Sequence, residues 1–156
     1  MIPRAVLALS LLTATLGPAL ADDVTYRNER FGTSATFPSE LFPEPLPIPS
    51  EADGRGWASS DGADLFIYAR ENNGEETPRS IVSARGVVDD VTYSRTGRSW
   101  AVVSGYRDGR IFYERYIFRG GLIHSVSIRY PEELRRTYDP IVGPVTLTLR
   151  GDSRSS

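Results

Sequence analysis

Cysteine and lysine are both missing from this 156-residue chain. Without cysteine, the protein has no disulfide bond, no thiolate metal site, no cysteine nucleophile and no lipid-modified N-terminal cysteine. All 18 basic residues are arginine, so a Schiff-base mechanism on lysine is also excluded. His124 is the single histidine, which limits imidazole chemistry to one side chain.

Motifs for cofactors, metals and nucleic acids are absent as well. The chain has no Walker motif and no G-x-G-x-x-G, and Asp53, Asp61 and Asp64 lack the alternation and closing glutamate of a calcium loop. The net charge is −2, and an acidic chain is a poor match for a polyanion. We therefore predict no cofactor, no metal site and no nucleic acid partner.

Charge is distributed unevenly along the chain. Residues 22–90 contain 14 acidic residues and 6 Arg, a net charge of −8, whereas residues 91–156 contain 6 acidic residues and 11 Arg, a net charge of +5. We interpret the two halves as neutralising each other within one fold. The alternative is a basic patch that binds an anionic ligand.

Residues 1–21 have the three parts of a secretory signal peptide. Arg4 is followed by the apolar run 5–16, then by a Gly17-Pro18 break and the A-x-A site Ala19-Leu20-Ala21. An uncleaved membrane anchor is the alternative, but the apolar run is shorter than the roughly 20 residues that a span needs. We predict an exported mature chain, periplasmic or secreted, without a transmembrane segment. It comprises one domain over residues 22–150 and a flexible tail over 151–156.

The most regular stretch, residues 98–130, is rich in β-branched and aromatic residues and predicts a three-strand antiparallel meander. Asp108-Gly109 and Gly120-Gly121 are two-residue hairpin turns. With these loops, the register pairs Ser104 with Tyr113, Val102 with Arg115, Arg115 with Val126, and Ile117 with His124. The face that contains these residues is the better candidate for the core, and the opposite face is mixed. On that mixed face we predict an ion pair between Glu114 and Arg129.

Before the meander, the sequence predicts short strands and loops. Four prolines at every second position predict a stiff polyproline-like crossing at one end of the sheet. We predict strands at 24–31 and 33–37, the proline crossing at 43–49, and a hairpin through Asp61-Gly62 that joins 57–60 to 63–69.

Two segments near the meander can be interpreted in more than one way. Residues 80–90 form either a short helix or an edge strand, followed by a strand at 91–94. Pro131 begins a helix, which we expect Asp139-Pro140 to interrupt. Residues 141–149 have both a helical apolar face and a strand-like alternation. The predicted fold class is α+β, with a central antiparallel sheet of about six or seven strands.

The order of these elements resembles a group of uncharacterised small exported bacterial proteins with a PsbP-like α/β/α sandwich. The stretches that carry the resemblance are YRNERFGTSATFPSELF, SSDGADLFIYA, SWAVVSGYRDGRIFYERYIF and IRYPEELRRTYDPIVGPVTLTLR. The resemblance implies a C-terminal helix packed on the sheet, which favours helix for 141–149. It also implies a binding or assembly module and supplies no catalytic residues.

Four polar residues of the meander are the candidates for a binding site: Ser104, Tyr113, Arg115 and His124. His124 lies on the predicted core face, where a hydrogen-bonded structural role is favoured. The alternative is a catalytic role in a Ser-His hydrolase that uses Ser104 as its nucleophile. Ser104, however, lies within a strand and not at a nucleophile elbow. We predict no catalytic residues.

Arg115 is the residue on the core face that hydrophobic burial does not explain. A buried guanidinium needs a partner, and Asp139 or Glu133 from the following helix would anchor that helix to the sheet. The alternatives are a guanidinium that reaches water and an anion site beneath the helix.

These observations favour an exported, non-catalytic binding or assembly module of the bacterial envelope, whose partner is an envelope protein or an anionic ligand. The alternative is a small-ligand-binding protein or hydrolase with a cleft near Ser104, Tyr113, Arg115 and His124.

Overall fold

A seven-stranded antiparallel sheet forms the centre of the protein, with strand order β3-β4-β5-β9-β8-β7-β6. The computed structural model describes residues 22–153, so the predicted signal peptide lies outside the described residues. Within residues 22–153 the elements are β1 (Asp23–Arg27), β2 (Ser34–Pro38), β3 (Glu44–Pro45), β4 (Gly54–Ala58), β5 (Asp64–Glu71), α1 (Pro78–Val88), β6 (Asp90–Thr96), β7 (Trp100–Arg107), β8 (Arg110–Arg119), β9 (Leu122–Pro131), a 3-10 turn (Glu132–Leu134) and α2 (Arg135–Leu147). The predicted α+β class is confirmed.

The predicted meander is confirmed residue by residue as β7, β8 and β9. Asp108 and Gly109 both have positive φ, at 52° and 73°, as a two-residue hairpin turn requires. Every predicted pair is observed, including Ser104 with Tyr113 and Ile117 with His124. Because each turn has the predicted length, the two faces of the sheet are also the predicted ones.

The first face of the sheet is covered by α2 and by the separate β1-β2 ribbon, and it contains the larger core. Phe37 of the ribbon packs against Trp57 of β4, with ring centroids 4.7 Å apart. Tyr138 of α2 stacks on Tyr130 of β9 at 5.2 Å. The remaining buried residues of this core are mostly aliphatic: Leu65, Ile67, Ile111, Val126, Ile128, Val142, Val145 and Leu149.

The second face is covered only in part, by α1. Thr77 caps this helix: its side chain accepts from the Ser80 N–H at 3.1 Å, and the Ser80 hydroxyl accepts from the Thr77 N–H at 2.9 Å. Ile81 packs with Val103 and other apolar residues of the sheet in a smaller core. The ambiguous segment 80–90 is therefore mainly helix. Since α1 contacts β6 and β7, it leaves β5 and part of β9 uncovered.

The expected break at Asp139-Pro140 was wrong, because α2 continues through both Pro140 and Pro144 to Leu147. The two prolines are exposed, whereas Tyr138, Val142 and Val145 are buried against the sheet. The carbonyl groups that each proline leaves without an intrahelical donor can therefore be hydrated. The helix implied by the resemblance for 141–149 is confirmed as far as Leu147.

The proline-rich segment forms a short edge strand, not only a crossing. Glu44 and Pro45 pair with Ala58 and Trp57, and the Leu46 N–H donates to the Gly56 carbonyl at 2.9 Å. Proline cannot donate to a ladder, so this edge of the sheet does not extend further.

The start of the predicted flexible tail is held against the body of the protein. Arg150 and Ser34 exchange backbone hydrogen bonds of 2.8 and 2.9 Å, and the next residue, Gly151, is buried. Residues 154–156 lie outside the described residues. No helix within residues 22–153 has the length and apolarity needed to cross a membrane.

Candidate functional site

His124 is fully buried on the first face, and both of its ring nitrogens are engaged. Nε2 lies 2.9 Å from the Asp152 carbonyl oxygen and Nδ1 lies 2.8 Å from the Thr33 hydroxyl. A carbonyl oxygen can only accept, so Nε2 carries the proton and Nδ1 of the neutral ring accepts from Thr33. Burial lowers the pKa of His124, which favours this neutral form. The imidazole therefore joins the β1-β2 ribbon and the C-terminal segment to the sheet.

Ser104 and Tyr113 line a cavity of about 220 Å³ beside the N-terminal half of α2. Neither Arg115 nor His124 lines it. The Ser104 hydroxyl donates to the Phe112 carbonyl at 2.8 Å, so its hydrogen is already used. The four candidate residues therefore do not form the single cleft that the sequence alternative required.

Arg115 packs against an aromatic ring, and the predicted anchor to α2 is corrected. Its guanidinium carbon lies 5.1 Å from the centroid of the Trp100 ring, within the range of a cation–π contact. Within residues 22–153 it forms no ion pair with Asp139 or Glu133. Asp139 instead accepts from the Tyr130 hydroxyl at 2.7 Å, and this bond links α2 to the sheet.

A groove of about 480 Å³ lies on the second face, between α1 and β5. Ser125 and Ser127 of β9 form its floor, because α1 does not extend over them. The wall on the β5 side consists of Phe66 and Tyr68. The opposite wall is formed by α1 and β8: Ile81, Ala84, Arg85, Val88, Glu114 and Tyr116. We call this surface the α1 groove.

Two glycines of β4 explain why the α1 groove is open. Gly56 pairs with Phe66 and Gly54 pairs with Tyr68. A Cβ atom on Gly56 would lie 2.7 Å from the Phe66 ring, and one on Gly54 would overlap Tyr68. The two rings therefore lie over β4, and the space above the β9 serines stays free. A side chain at either glycine would push a ring toward the groove.

A buried charge cluster forms the wall on the α1 side. Glu114 is only 3% exposed, and it accepts from Arg85 Nε and Arg107 Nη1, each at 3.0 Å. The Tyr116 hydroxyl donates to the same carboxylate. Arg107 also donates twice to Asp89, with both distances 2.7 Å. We call Arg85, Asp89, Arg107, Glu114 and Tyr116 the Glu114 cluster.

The predicted ion pair between Glu114 and Arg129 was wrong, because each residue has a closer partner. Arg129 lies directly opposite Asp64 of β5 and donates to both oxygens of that carboxylate, at 2.8 and 3.0 Å. Glu114 is instead neutralised by Arg85 of α1 and by Arg107. Arg107 belongs to the meander, whereas Arg85 comes from a helix whose position the meander alone does not determine.

The ionisation states of the Glu114 cluster are held by its own contacts. Hydrogen bonds from Arg107 lower the pKa of Asp89, and those from Asp89 raise the pKa of Arg107. Burial, followed by the nearby Glu114 charge, raises the pKa of Tyr116. At neutral pH Asp89 and Arg107 are therefore ionised, and Tyr116 is a neutral phenol.

The α1 groove combines apolar, hydrogen-bonding and charged side chains. Aromatic rings, two serine hydroxyls and paired ions line it, and the single histidine is buried beneath the other face of the sheet. Within the described residues, no group of three or more His, Asp or Glu side chains is placed to hold a metal ion. Such a surface can pack apolar groups and hydrogen-bond polar ones.

Comparisons with known proteins identify the fold. Among solved structures, the protein is similar to the solution structure of cyanobacterial PsbP (CyanoP) from Synechocystis sp. PCC 6803, with a TM-score of 0.62. The fold is PsbP-like. Sequence identity is 11%, over 90% of this chain and 98% of that chain, so the likeness concerns the PsbP-like fold alone. No protein-family model and no curated protein matches the sequence.

The α1 groove was not found from the sequence, although part of its signal was present. Phe66 and Tyr68 alternate with the core residues of β5, and Gly54 and Gly56 have the same spacing in the strand before. Pairing the two strands would have placed a glycine opposite each ring. The position of α1 could not be obtained in this way, since residues 80–90 were ambiguous.

Mild acid is expected to destabilise the protein through His124. Burial holds the folded pKa below the ordinary value of 6.5, so the unfolded chain binds a proton first as the pH falls through that value. This stability is fully present above about pH 6.5 and is lost as the pH falls toward the folded pKa. Urea unfolding should therefore give a lower free energy at about pH 5 than at about pH 7. His124→Gln should remove this slope, and an unchanged slope in the variant would contradict the assignment.

Replacing Glu114 should destabilise the fold strongly. Glu114→Gln removes one of the two carboxylates of the cluster, so the positive charges of Arg85 and Arg107 are no longer fully balanced. We expect a loss of about 3 kcal/mol in the free energy of urea unfolding, at the lower end for broken buried pairs because both guanidiniums keep some contact with water. The control is Glu76→Gln, which breaks an exposed pair with Arg70 and should cost less than about 1 kcal/mol. If both substitutions lowered the free energy of unfolding equally, the Glu114 cluster would contribute no more to stability than an exposed ion pair.

Proposed function

We propose that this protein is an exported, non-catalytic binding module of the bacterial envelope, and that the α1 groove binds an extended segment of an envelope protein. The observation that carries the proposal is the partial cover of the second face. A stable fold normally buries its sheet faces, yet here α1 leaves a lined groove of about 480 Å³. This volume falls in the range of about 300–1,000 Å³ that is usual for binding clefts.

The shape of the α1 groove supports an extended occupant. It runs along β5 and β9, and a second, contiguous hollow lined by Phe66, Tyr68 and Ser127 continues it to Arg129. From Phe66 to Arg70 the strand rises by about 13 Å, which matches roughly four residues of an extended peptide. Such a segment can place an apolar side chain against the rings, and its amides can bond the serine hydroxyls.

The charges at the two ends of the α1 groove support a polypeptide over a free anion. Arg70 pairs with Glu76 at one end, and Arg129 pairs with Asp64 at the other. In the wall, Arg85 and Arg107 are neutralised by Glu114 and Asp89. Since each guanidinium that lines the groove already has a carboxylate partner, an anionic ligand would have to displace one. Recognition therefore depends on packing and hydrogen bonds.

Residues 1–21 support the proposed location. Their signal-peptide pattern predicts cleavage after Ala21, just before β1 begins at Asp23. The second candidate is a hydrolase or small-ligand site at Ser104, Tyr113, Arg115 and His124. It has less support, because only Ser104 and Tyr113 share a cavity, and Arg115 and His124 do not line it.

Site-specific photocrosslinking in cells of the source organism tests the α1 groove. A benzoylphenylalanine at position 68 replaces Tyr68 with a similar ring in the wall and should crosslink to one envelope protein. The same group at Leu147, which is 59% exposed on α2, should not. Ala84→Trp fills the groove from an exposed helix position and should abolish the adduct.

The matched control is Arg79→Trp, which adds the same ring to α1 outside the groove lining and should leave the adduct unchanged. Crosslinking that is equal from positions 68 and 147, or that survives Ala84→Trp, would show that the groove is not the binding site.

Export is tested by the N-terminus of the mature protein. We expect mass spectrometry of the protein from the envelope or medium to give an N-terminal peptide that begins at Asp22. Ala21→Asp should block cleavage, because the signal peptidase site requires small residues there, and should leave a precursor of higher mass. Recovery of the wild-type chain in the cytoplasm with residue 1 or 2 as its N-terminus would contradict the proposed location.

A further inference from the structure

The two outer strands of the sheet differ in how well they are protected against pairing with another strand. β3 has two residues and ends in a run of alternating prolines. β6 has seven residues, six of them exposed, and no described element covers its outer side. In the part of the sheet that the structure describes, β6 is therefore the long edge open to another strand.

The hydrogen-bonding pattern shows which backbone groups of β6 face outward. The Gly97 N–H donates to the Trp100 carbonyl at 2.9 Å, so the backbone groups of Trp100, Val102 and Ser104 point toward β6. Arg95 and Tyr93, which pair with Val102 and Ser104, consequently bond inward to β7. The N–H and C=O of Ser94 and Thr96 point away from the sheet. These outward groups lie beyond the irregularity between Val91 and Tyr93.

The side chains around this edge are typical of an interface. Of the six large apolar residues that are exposed within residues 22–153, three lie on or just before β6, namely Val87 (85% exposed), Val88 (71%) and Tyr93 (46%). Arg95 is also exposed, and within residues 22–153 no hydrogen bond or ion pair involves its side chain. Tyrosine and arginine are enriched at protein interfaces.

We propose that β6 pairs antiparallel with β6 of a second copy of this chain, with Ser94 opposite Ser94, to form a two-fold symmetric dimer. This register uses the outward groups of both strands. It also places Tyr93 of each copy directly opposite Arg95 of the other, on one face, in two equivalent ring–guanidinium contacts. Tyr93 and Arg95 then form non-hydrogen-bonded pairs, in which side chains approach most closely.

The charge on Arg95 selects this register over its neighbour. Moving the second strand by one step, so that Ser94 faces Thr96, keeps the backbone bonding but sets Arg95 opposite Arg95. Like charges directly opposite each other destabilise a strand pair. Because β3 at the far edge cannot extend the sheet, the pairing closes at two copies and does not continue into a filament.

Size-exclusion chromatography with light scattering on the mature chain tests the dimer. The wild-type protein should have twice the mass of one chain, with dissociation on dilution. Ser94→Pro should give a monomer with the same circular dichroism spectrum, because the Ser94 N–H makes no bond to β7. Ser94→Ala, which keeps the N–H, should remain a dimer. A wild-type monomer at every concentration, or a Ser94→Pro dimer, would overturn the proposal.

Cysteine crosslinking tests the register. Because the chain contains no other cysteine, any disulfide must join the introduced residues. In the proposed pair the two Ser94 Cα atoms are about 5.5 Å apart, within disulfide range, so Ser94→Cys should oxidise to a covalent dimer. The two Thr96 Cα atoms are about 14 Å apart, because four residues separate them along the strands, so Thr96→Cys should not form this dimer. Equal crosslinking of both variants would overturn the register. The proposed dimer would also be overturned if the protein were a monomer and β6 paired with a strand of a different protein.

Discussion

The alternation of side chains along β9 determines what each face of the sheet can do. Val126 and Ile128 point to the first face, where α2 and the β1-β2 ribbon bury them, while Ser125 and Ser127 point to the second. A hydroxyl strip would be costly to bury beneath a helix without partners. The polar side of β9 is thus compatible with α1 lying mainly over β6 and β7, with a groove left between α1 and β5. The larger core and the α1 groove are two consequences of one strand.

The Glu114 cluster joins the elements of this groove wall through paired charges. Glu114 is nearly inaccessible to water, and two guanidiniums and a phenol satisfy it. Well-packed apolar residues in its place would often be equally or more stable, so stability alone does not account for a buried ion cluster. Its geometric effect is to join α1 to β7 and β8 through Arg85 and Arg107. The width of the α1 groove depends on that joint, because α1 forms one wall.

Local chemistry made the meander predictable, and non-local packing limited the rest. Asp108-Gly109 and Gly120-Gly121 specify their turn lengths from two residues each, and the strand period then assigns both faces without knowledge of any other element. The contact of Glu114 with Arg85 depends instead on where α1 comes to lie. The rule that proline ends a helix failed at Pro140 because it describes the backbone alone; the exposure of that face of α2 is a property of the whole fold.

The α1 groove and the β6 edge lie on different parts of the molecule, which has a consequence for assembly. The groove uses β5, β9 and the inner side of α1, whereas the edge uses β6 and the residues that lead into it. Val88 lies next to both surfaces, because it lines the α1 groove and is also the last residue of α1 before β6. A second copy at β6 would leave the floor of each groove open. Two grooves would then be held at a constant distance by one continuous sheet, and an envelope partner with two such segments would gain effective concentration without any new contact.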